Sequence, residues 1–215
     1  MKILRQTIRK LLINEARCAE ATKKIQNAIE FMHANNMYIK FYKGYFGGLE
    51  IRLVQEYKVG DYEPELRERG MLDAVKLEPA HVISYTEIDR DLEGLGLGAL
   101  LYDVAVEMVT QMGSYLACDR EEVSKSARRM WKYYASSNDY EALQMDLYPS
   151  HYNQKVFLTP EDDDDISHEI FLRISGARIE EPTFKEEFLA SPFTKAYRKK
   201  RITTLPCIKD RLIEE

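Results

Sequence analysis

The sequence predicts an α/β fold in which a central sheet is flanked by helices. Three observations carry this reading. Residues 16–36 hold an amphipathic helical pattern that passes at once into two β-rich runs, Met37–Tyr42 and Leu49–Val54. A further β-rich run, His81–Ile88, leads through a glycine-rich turn into an apolar helical pattern over Gly98–Met112. At 215 residues the chain is long enough for one domain with a sizeable core.

The elements follow in chain order. In residues 1–16, Ile3, Leu4, Ile8, Leu11 and Leu12 fall at helical spacing between basic residues, which makes an amphipathic leader. In the next helix Ala21, Ile25, Ala28, Ile29 and Met32 share one face, and Asn35-Asn36 is the stop signal. Gly44, Gly47 and Gly48 separate the two β-rich runs, and Leu49, Ile51 and Leu53 alternate. Residues 60–70 are charged and hold Pro64, so they read as a loop or short helix. Leu77–Ile88 leads into a central strand, where Val82, Ile83, Tyr85 and Ile88 suit burial on both faces. Leu100, Leu101, Val104, Ala105, Met108 and Val109 form the packed stripe of the following helix, and Gly113 ends it.

Ser114–Cys118 reads as a short strand, and a helix begins in Asp119-Arg120-Glu121-Glu122 and continues through Ser124–Tyr134. Residues 139–147 read as one more helix, Lys155–Leu158 and His168–Ile174 as short strands, and Glu161–Asp165 as a solvated acidic loop. The domain proper thus spans 17–175, preceded by the leader over 1–16 and followed by a tail over 176–215. Within the tail, Lys195–Arg201 is the densest basic cluster and reads first as a solvated helix face, with contact to phosphate, RNA or an acidic partner as the alternative.

Composition excludes several classes. A net charge of -5 argues against general nucleic-acid binding. No apolar run approaches the length that crosses a bilayer, so no membrane partner is expected. Three widely spaced cysteines without C-x-x-C, and four histidines without ligand spacing, predict a cytoplasmic protein and no metal site.

The glycine run carries the chemistry. Glu93-Gly94-Leu95-Gly96-Leu97-Gly98-Ala99 lies between a strand and a helix. Without Cβ atoms, backbone N–H groups can approach a ligand closely, and the helix start adds unpaired donors and a positive dipole end. That combination suits a pyrophosphate. The spacing is not the dinucleotide fingerprint G-x-G-x-x-G, and no Gly-Lys-Ser/Thr makes it a P-loop. A glycine-rich turn that merely lets a helix pack closely on a strand fits the glycines equally well.

The run Ile88-Asp89-Arg90-Asp91-Leu92-Glu93-Gly94-Leu95-Gly96-Leu97-Gly98-Ala99-Leu100-Leu101 resembles the pyrophosphate-binding motif of the GNAT family of N-acetyltransferases. Gly94, Gly96, Gly98 and the two helix leucines match; Glu93 and Arg90 stand where the family has Arg or Gln and Pro. A second family motif, N-x-x-A-x-x-L-Y, is similar to Ser124-Lys125-Ser126-Ala127-Arg128-Arg129-Met130-Trp131, with Ala127 matching. The resemblance covers about residues 77–134.

The resemblance implies a mixed, mostly antiparallel GNAT-like sheet and transfer of an acetyl group from acetyl-CoA, as cosubstrate and without metal, to an amine on a small molecule or a protein. Cofactor-binding positions would be Ile88, Gly94, Leu95, Gly96, Leu97, Gly98, Ala99 and Ser124. Glu87 would be the base, with His81 and Tyr85 as lesser candidates. The family's thiolate-protonating Tyr is Trp131 here, so Tyr133 and Tyr134 are the substitutes, although side chains one residue apart on a helix point about 100° apart. The departures at Glu93 and Trp131 imply the alternative of a catalytically weak or inactive interaction module. Ile13-Asn14-Glu15 before Ala16 also resembles the clipped leaders of internal head proteins of T-even-like phages. On that likeness the setting is a host cytoplasm or a virion, with a particle partner or a second copy docking through the terminal segments.

Overall fold

The computed structural model describes residues 21–44, 47–58, 60, 62–77, 79–118, 123–145 and 190–214. The leader, the two strands expected between 155 and 174, and the acidic run lie outside the described residues.

Helix α1 (Lys23–Ala34) starts where Ile25 N–H donates to Thr22 Oγ1, and it buries Ile25, Ala28, Ile29 and Met32. It ends at Asn35-Asn36, with Asn36 in the left-handed region at φ 50°. Strands β1 (Met37–Lys43), β2 (Leu49–Tyr57), β3 (Glu65–Leu77) and β4 (Ala80–Ile88) form an antiparallel meander. A 3₁₀ turn (Arg90–Leu92) then leads into α2 (Leu97–Gln111), β5 (Tyr115–Ala117), α3 (Lys125–Ser136) and β6 (Tyr140–Gln144). Strands β7 (Lys195–Lys199) and β8 (Leu212–Glu214) complete one eight-stranded sheet of order β6-β7-β5-β4-β3-β2-β1-β8. Among the described residues only the β4/β5 and β1/β8 pairs are parallel.

One large core joins the three helices to a single face of the sheet, and a small second cluster of Ala80, Val82, Ala117, Met145 and Ala196 lies on the other. Helix α2 is buried nearly all round, which explains its continuous apolar sequence. Trp131 of α3, 1% exposed, sits edge-on to Tyr102 of α2 and to Tyr134, and tilted against Tyr197 of β7. Among the described residues no helix is long and apolar enough to cross a membrane.

Four local expectations are corrected. The charged stretch 60–70 is no loop from Glu65 onward, because it is the outer half of β3 paired with β2. That half is solvent-exposed on both sides and therefore lacks apolar alternation. Residues 139–147 hold strand β6 rather than a helix, held by pairing with β7. The basic cluster at 195–201 is not a helix face either: β7 inserts between β5 and β6, burying Ala196, Tyr197 and Lys199. Tyr85 is not buried; it is 50% exposed.

Candidate active site

Strand β4 is irregular where it matters. Tyr85 pairs with Asp73 and Ile83 with Ala74, so Ser84 is an extra residue, and its hydroxyl donates to Asp73 O. Such a bulge bends and twists its strand. It also resets the alternation: Ile83, Thr86 and Ile88 share the face of α2, while Tyr85 and Glu87 share the opposite face.

Beyond Val82, β4 keeps its pairing with β3 but has no pairing with β5 among the described residues. Its parallel pairing with β5 covers only Ala80–Val82 against Tyr115–Ala117. From Ile83 to Ile88 the backbone edge on that side has no strand partner among the described residues. Among the described residues the pairing of these two parallel strands therefore ends toward their carboxyl ends. Crevices at that end of parallel strands are where α/β sheets hold ligands.

The glycine turn follows β4 at this end. Asp89 N–H donates to Arg69 O, and the Arg69 guanidinium pairs with Asp89 at 3.1 Å and with Asp91, which ties the 3₁₀ turn to β3 and neutralises two carboxylates. Gly94 and Gly96 stand at φ 82° and 84°, a conformation that residues with a Cβ rarely adopt. Gly96 is also packed, since a Cβ there would meet Ala28 Cβ and Lys24 O of α1 at 3.4 Å. Gly94 and Gly98 are different. A Cβ on Gly94 would meet nothing within 4 Å, and one on Gly98 only Ile88 Cγ1 at 3.6 Å, so neither is demanded by crowding.

Gly96 caps α2 without a side-chain bond, and the first helical hydrogen bond runs from Leu100 N–H to Gly96 O at 2.9 Å. Among the described residues none accepts from the N–H groups of Leu97, Gly98 or Ala99. Leu95 N–H donates only weakly, to Leu92 O at 3.4 Å. Glu93 is solvent-exposed, so its charge has room to stay clear of the turn. Thr86 places a buried hydroxyl on the α2 face that has no partner among the described residues. Sequence reasoning passed over Thr86 because a lone strand threonine carries no signal.

The remaining site candidates are scattered. Tyr85 Oη donates to Glu87 Oε2 at 2.6 Å on the exposed face of β4, and that bond to a carboxylate raises the phenol's pKa. His81 is buried, with Nδ1 2.9 Å from Ser114 Oγ and Nε2 3.1 Å from Gly47 O, a structural setting. Ser124 caps α3 by accepting from Ala127 N–H at 3.2 Å. Tyr134 is buried in the aromatic cluster with an unpartnered hydroxyl, and burial, with the Asp103 charge nearby, pushes its phenol well up. Tyr133 is half-buried against Tyr140. Neither tyrosine belongs to β4 or to the turn. No three His, Cys, Asp or Glu side chains among the described residues converge as metal ligands.

Behind the site runs a buried ionic network. Lys199 Nζ of β7 donates to Asp103 Oδ2 at 2.8 Å and to Glu107 Oε1 at 2.7 Å, one turn apart on α2. Glu107, 0% exposed, also accepts from Thr203 N, Thr204 N and Leu205 N at 2.6–2.7 Å. Asp103 accepts from Tyr140 Oη at 3.0 Å and from the Thr204 hydroxyl. The spacing of Asp103 and Glu107 was visible in the sequence, but not the lysine almost a hundred residues on that pairs with them.

No family model, curated protein or solved structure matches the chain.

Proposed function

We propose that the chain is an acetyl-CoA-dependent N-acetyltransferase with a GNAT-like sheet, acting on an amine. The observation that carries this reading is that β4, bulged at Ser84, stops pairing with β5 after Val82 and runs on to the start of α2, whose first N–H groups have no acceptor among the described residues. A diphosphate fits those donors, because the helix start supplies several N–H groups and a positive dipole end at once. An extended amide-bearing chain fits the unpaired edge of β4, which needs partners for its own N–H and C=O groups. The glycines support the fit: Gly98 leaves space beside Ile88 that packing does not require.

In the reaction the amine nitrogen attacks the thioester carbonyl, the C–N bond forms, the C–S bond breaks, and the ammonium proton leaves as the thiolate gains one. Free N–H groups on the β4 edge suit the developing oxyanion. Glu87, bonded to Tyr85 on the exposed face of β4, takes the proton from an amine that approaches from that face. Trp131 has no acidic proton of use to a thiolate, and Tyr134 is sealed in the core, so solvent supplies that proton. The same two burials favour a second reading, a domain that keeps the ligand site but transfers no acetyl group.

The test is a thermal-shift titration with acetyl-CoA alongside assay of released CoA thiol over a panel of amines. Ligand at about a hundred times its dissociation constant adds about 2.7 kcal/mol of stability. Gly94→Glu adds bulk and charge at the turn, lowers the ligand-free melting temperature because its φ of 82° disfavours a Cβ, and removes the ligand-induced shift. No shift at millimolar acetyl-CoA refutes both readings of the site; a shift without thiol release leaves the second.

A further inference from the structure

Between α1, α2, α3 and the ends of β6 and β7 lies a cavity of about 630 Å³, within the size range of small-molecule sites. Its walls come from the start of α1, from Ala99 and Asp103 of α2, from α3, from the turn before β6 and from the residues after β7. We infer that this cavity is a binding site for a small organic phosphate of about nucleotide size. This inference is independent of the proposed acetyl transfer.

Charge sets the sign of the ligand. Lys24, Arg129, Lys199, Lys200 and Arg201 line the cavity, against Asp103 and Asp139. Glu107 stands behind Lys199 and adds one more negative charge, so among the described residues five cations face three anions, on a chain whose net charge is -5. Lys199 is already committed to its two carboxylates. Lys24 and Arg129 face the cavity from two different helices, and no described carboxylate pairs with either. A phosphate held between them makes charge-assisted hydrogen bonds, and the Arg129 fork suits it in particular.

Shape sets the rest of the ligand. Ile25 and Met130 are apolar, and Tyr133 and Tyr140 contribute rings. The Tyr140 hydroxyl is spent on Asp103 and its ring packs against Tyr134 and Tyr133, so half-buried Tyr133 is the more accessible ring. An inorganic ion would leave these surfaces bare; a base or other flat body fills them. The wall is also preformed, because Asp103, Lys199, Thr203 and Tyr140 are each more than nine-tenths buried and bonded to one another or to Glu107. Preformed walls spare the ordering cost of binding.

The glycine turn adjoins the cavity at Ala99 without its glycines lining it. The cavity meets α2 only there and one turn further along at Asp103. The basic leader is a poor occupant by charge, whereas the acidic run 161–165 is the complementary segment within the chain.

The experiment is calorimetric titration of the full chain with AMP, adenosine and inorganic phosphate. AMP is expected to bind saturably, and adenosine and inorganic phosphate each about tenfold or more weakly, since each lacks one half of the fit. Arg129→Gln weakens AMP about tenfold, and Lys24→Glu with Arg129→Glu abolishes binding while the melting temperature holds, because both side chains are at the surface. If the double variant fails to fold, Lys24→Gln with Arg129→Gln gives the same readout. Gly94→Glu leaves AMP binding unchanged. Failure of AMP to bind at millimolar concentration overturns the inference, as it would if the acidic run filled the cavity. Affinity that survives in the double variant, or that vanishes in Gly94→Glu, also overturns it.

Discussion

Lys199→Met is the sharpest probe of what holds the C-terminal strands to the helical layer. Lys199 is 8% exposed and is the cation shared by Asp103 and Glu107, themselves 4% and 0% exposed. Removing it leaves two buried carboxylates without their counter-charge, for which about 3–5 kcal/mol is the usual cost. Glu107 keeps three backbone donors and the Thr203 hydroxyl, and Asp103 keeps the Tyr140 and Thr204 hydroxyls, which places the loss near about 3 kcal/mol. That is a large part of a typical domain's 5–15 kcal/mol, roughly. Urea unfolding followed by far-UV circular dichroism measures it. Adding Asp103→Asn to Lys199→Met recovers part of the loss, so the two substitutions are not additive. A loss below about 1 kcal/mol, the size of an exposed pair, would refute the picture of a sealed network.

Two further outcomes follow from the same structure. Gly98→Ala replaces a helical glycine whose Cβ would stand in ordinary contact with Ile88, so it stabilises by up to about 1 kcal/mol and raises the melting temperature by about 2–4 °C; a lower melting temperature would mean that the β4–α2 seam is tighter than its geometry indicates. Under the proposed reaction the same methyl shrinks the acetyl-CoA-induced shift. At high pH the protein loses stability steeply: burial raises the phenols of Tyr134, Tyr140 and Tyr197, and although burial alone lowers Lys199, Asp103 and Glu107 together raise it. Groups with raised folded-state pKa values stabilise fully below their unfolded values and lose that contribution above them, at up to about 1.4 kcal/mol per pH unit each. Unfolding followed against pH should therefore be flat through neutrality and fall above the ordinary tyrosine value of 10.0; a flat profile beyond it would mean that the tyrosines are solvated.

The legible parts were those where one residue pattern answers to one environment. The face Ile25, Ala28, Ile29, Met32 and the alternation Leu49, Ile51, Leu53 appear in the structure as read, because each packs against a single core. The glycine turn and the helix after it were legible for the same reason. The outer half of β3 was not, because a strand exposed on both sides has no period to show. Nor was β7, whose Lys-Ala-Tyr-Arg-Lys alternates correctly only once Lys199 is known to be buried by two carboxylates on α2. A buried lysine reads as surface unless its partners are seen, and those partners lie almost a hundred residues away.

The candidate site turns on one residue that no pattern marks. Had β4 stayed regular, Tyr85 and Glu87 would share the face of Ile83 and point into the layer of α2, where Glu87 would be an unpaired buried charge. The extra Ser84 exchanges the faces. It turns Thr86 and Ile88 toward α2 and the Tyr85–Glu87 pair outward, and it bends β4 at the point where pairing with β5 stops. Helix packing, strand separation and placement of the candidate base are thus consequences of a single insertion in register. Deleting Ser84 should then disturb all three together: it drives Glu87 into the core and costs far more stability than shortening an exposed loop by one residue. A deletion variant that unfolds at the same urea concentration as the parent would show that the faces of β4 are not set by the bulge.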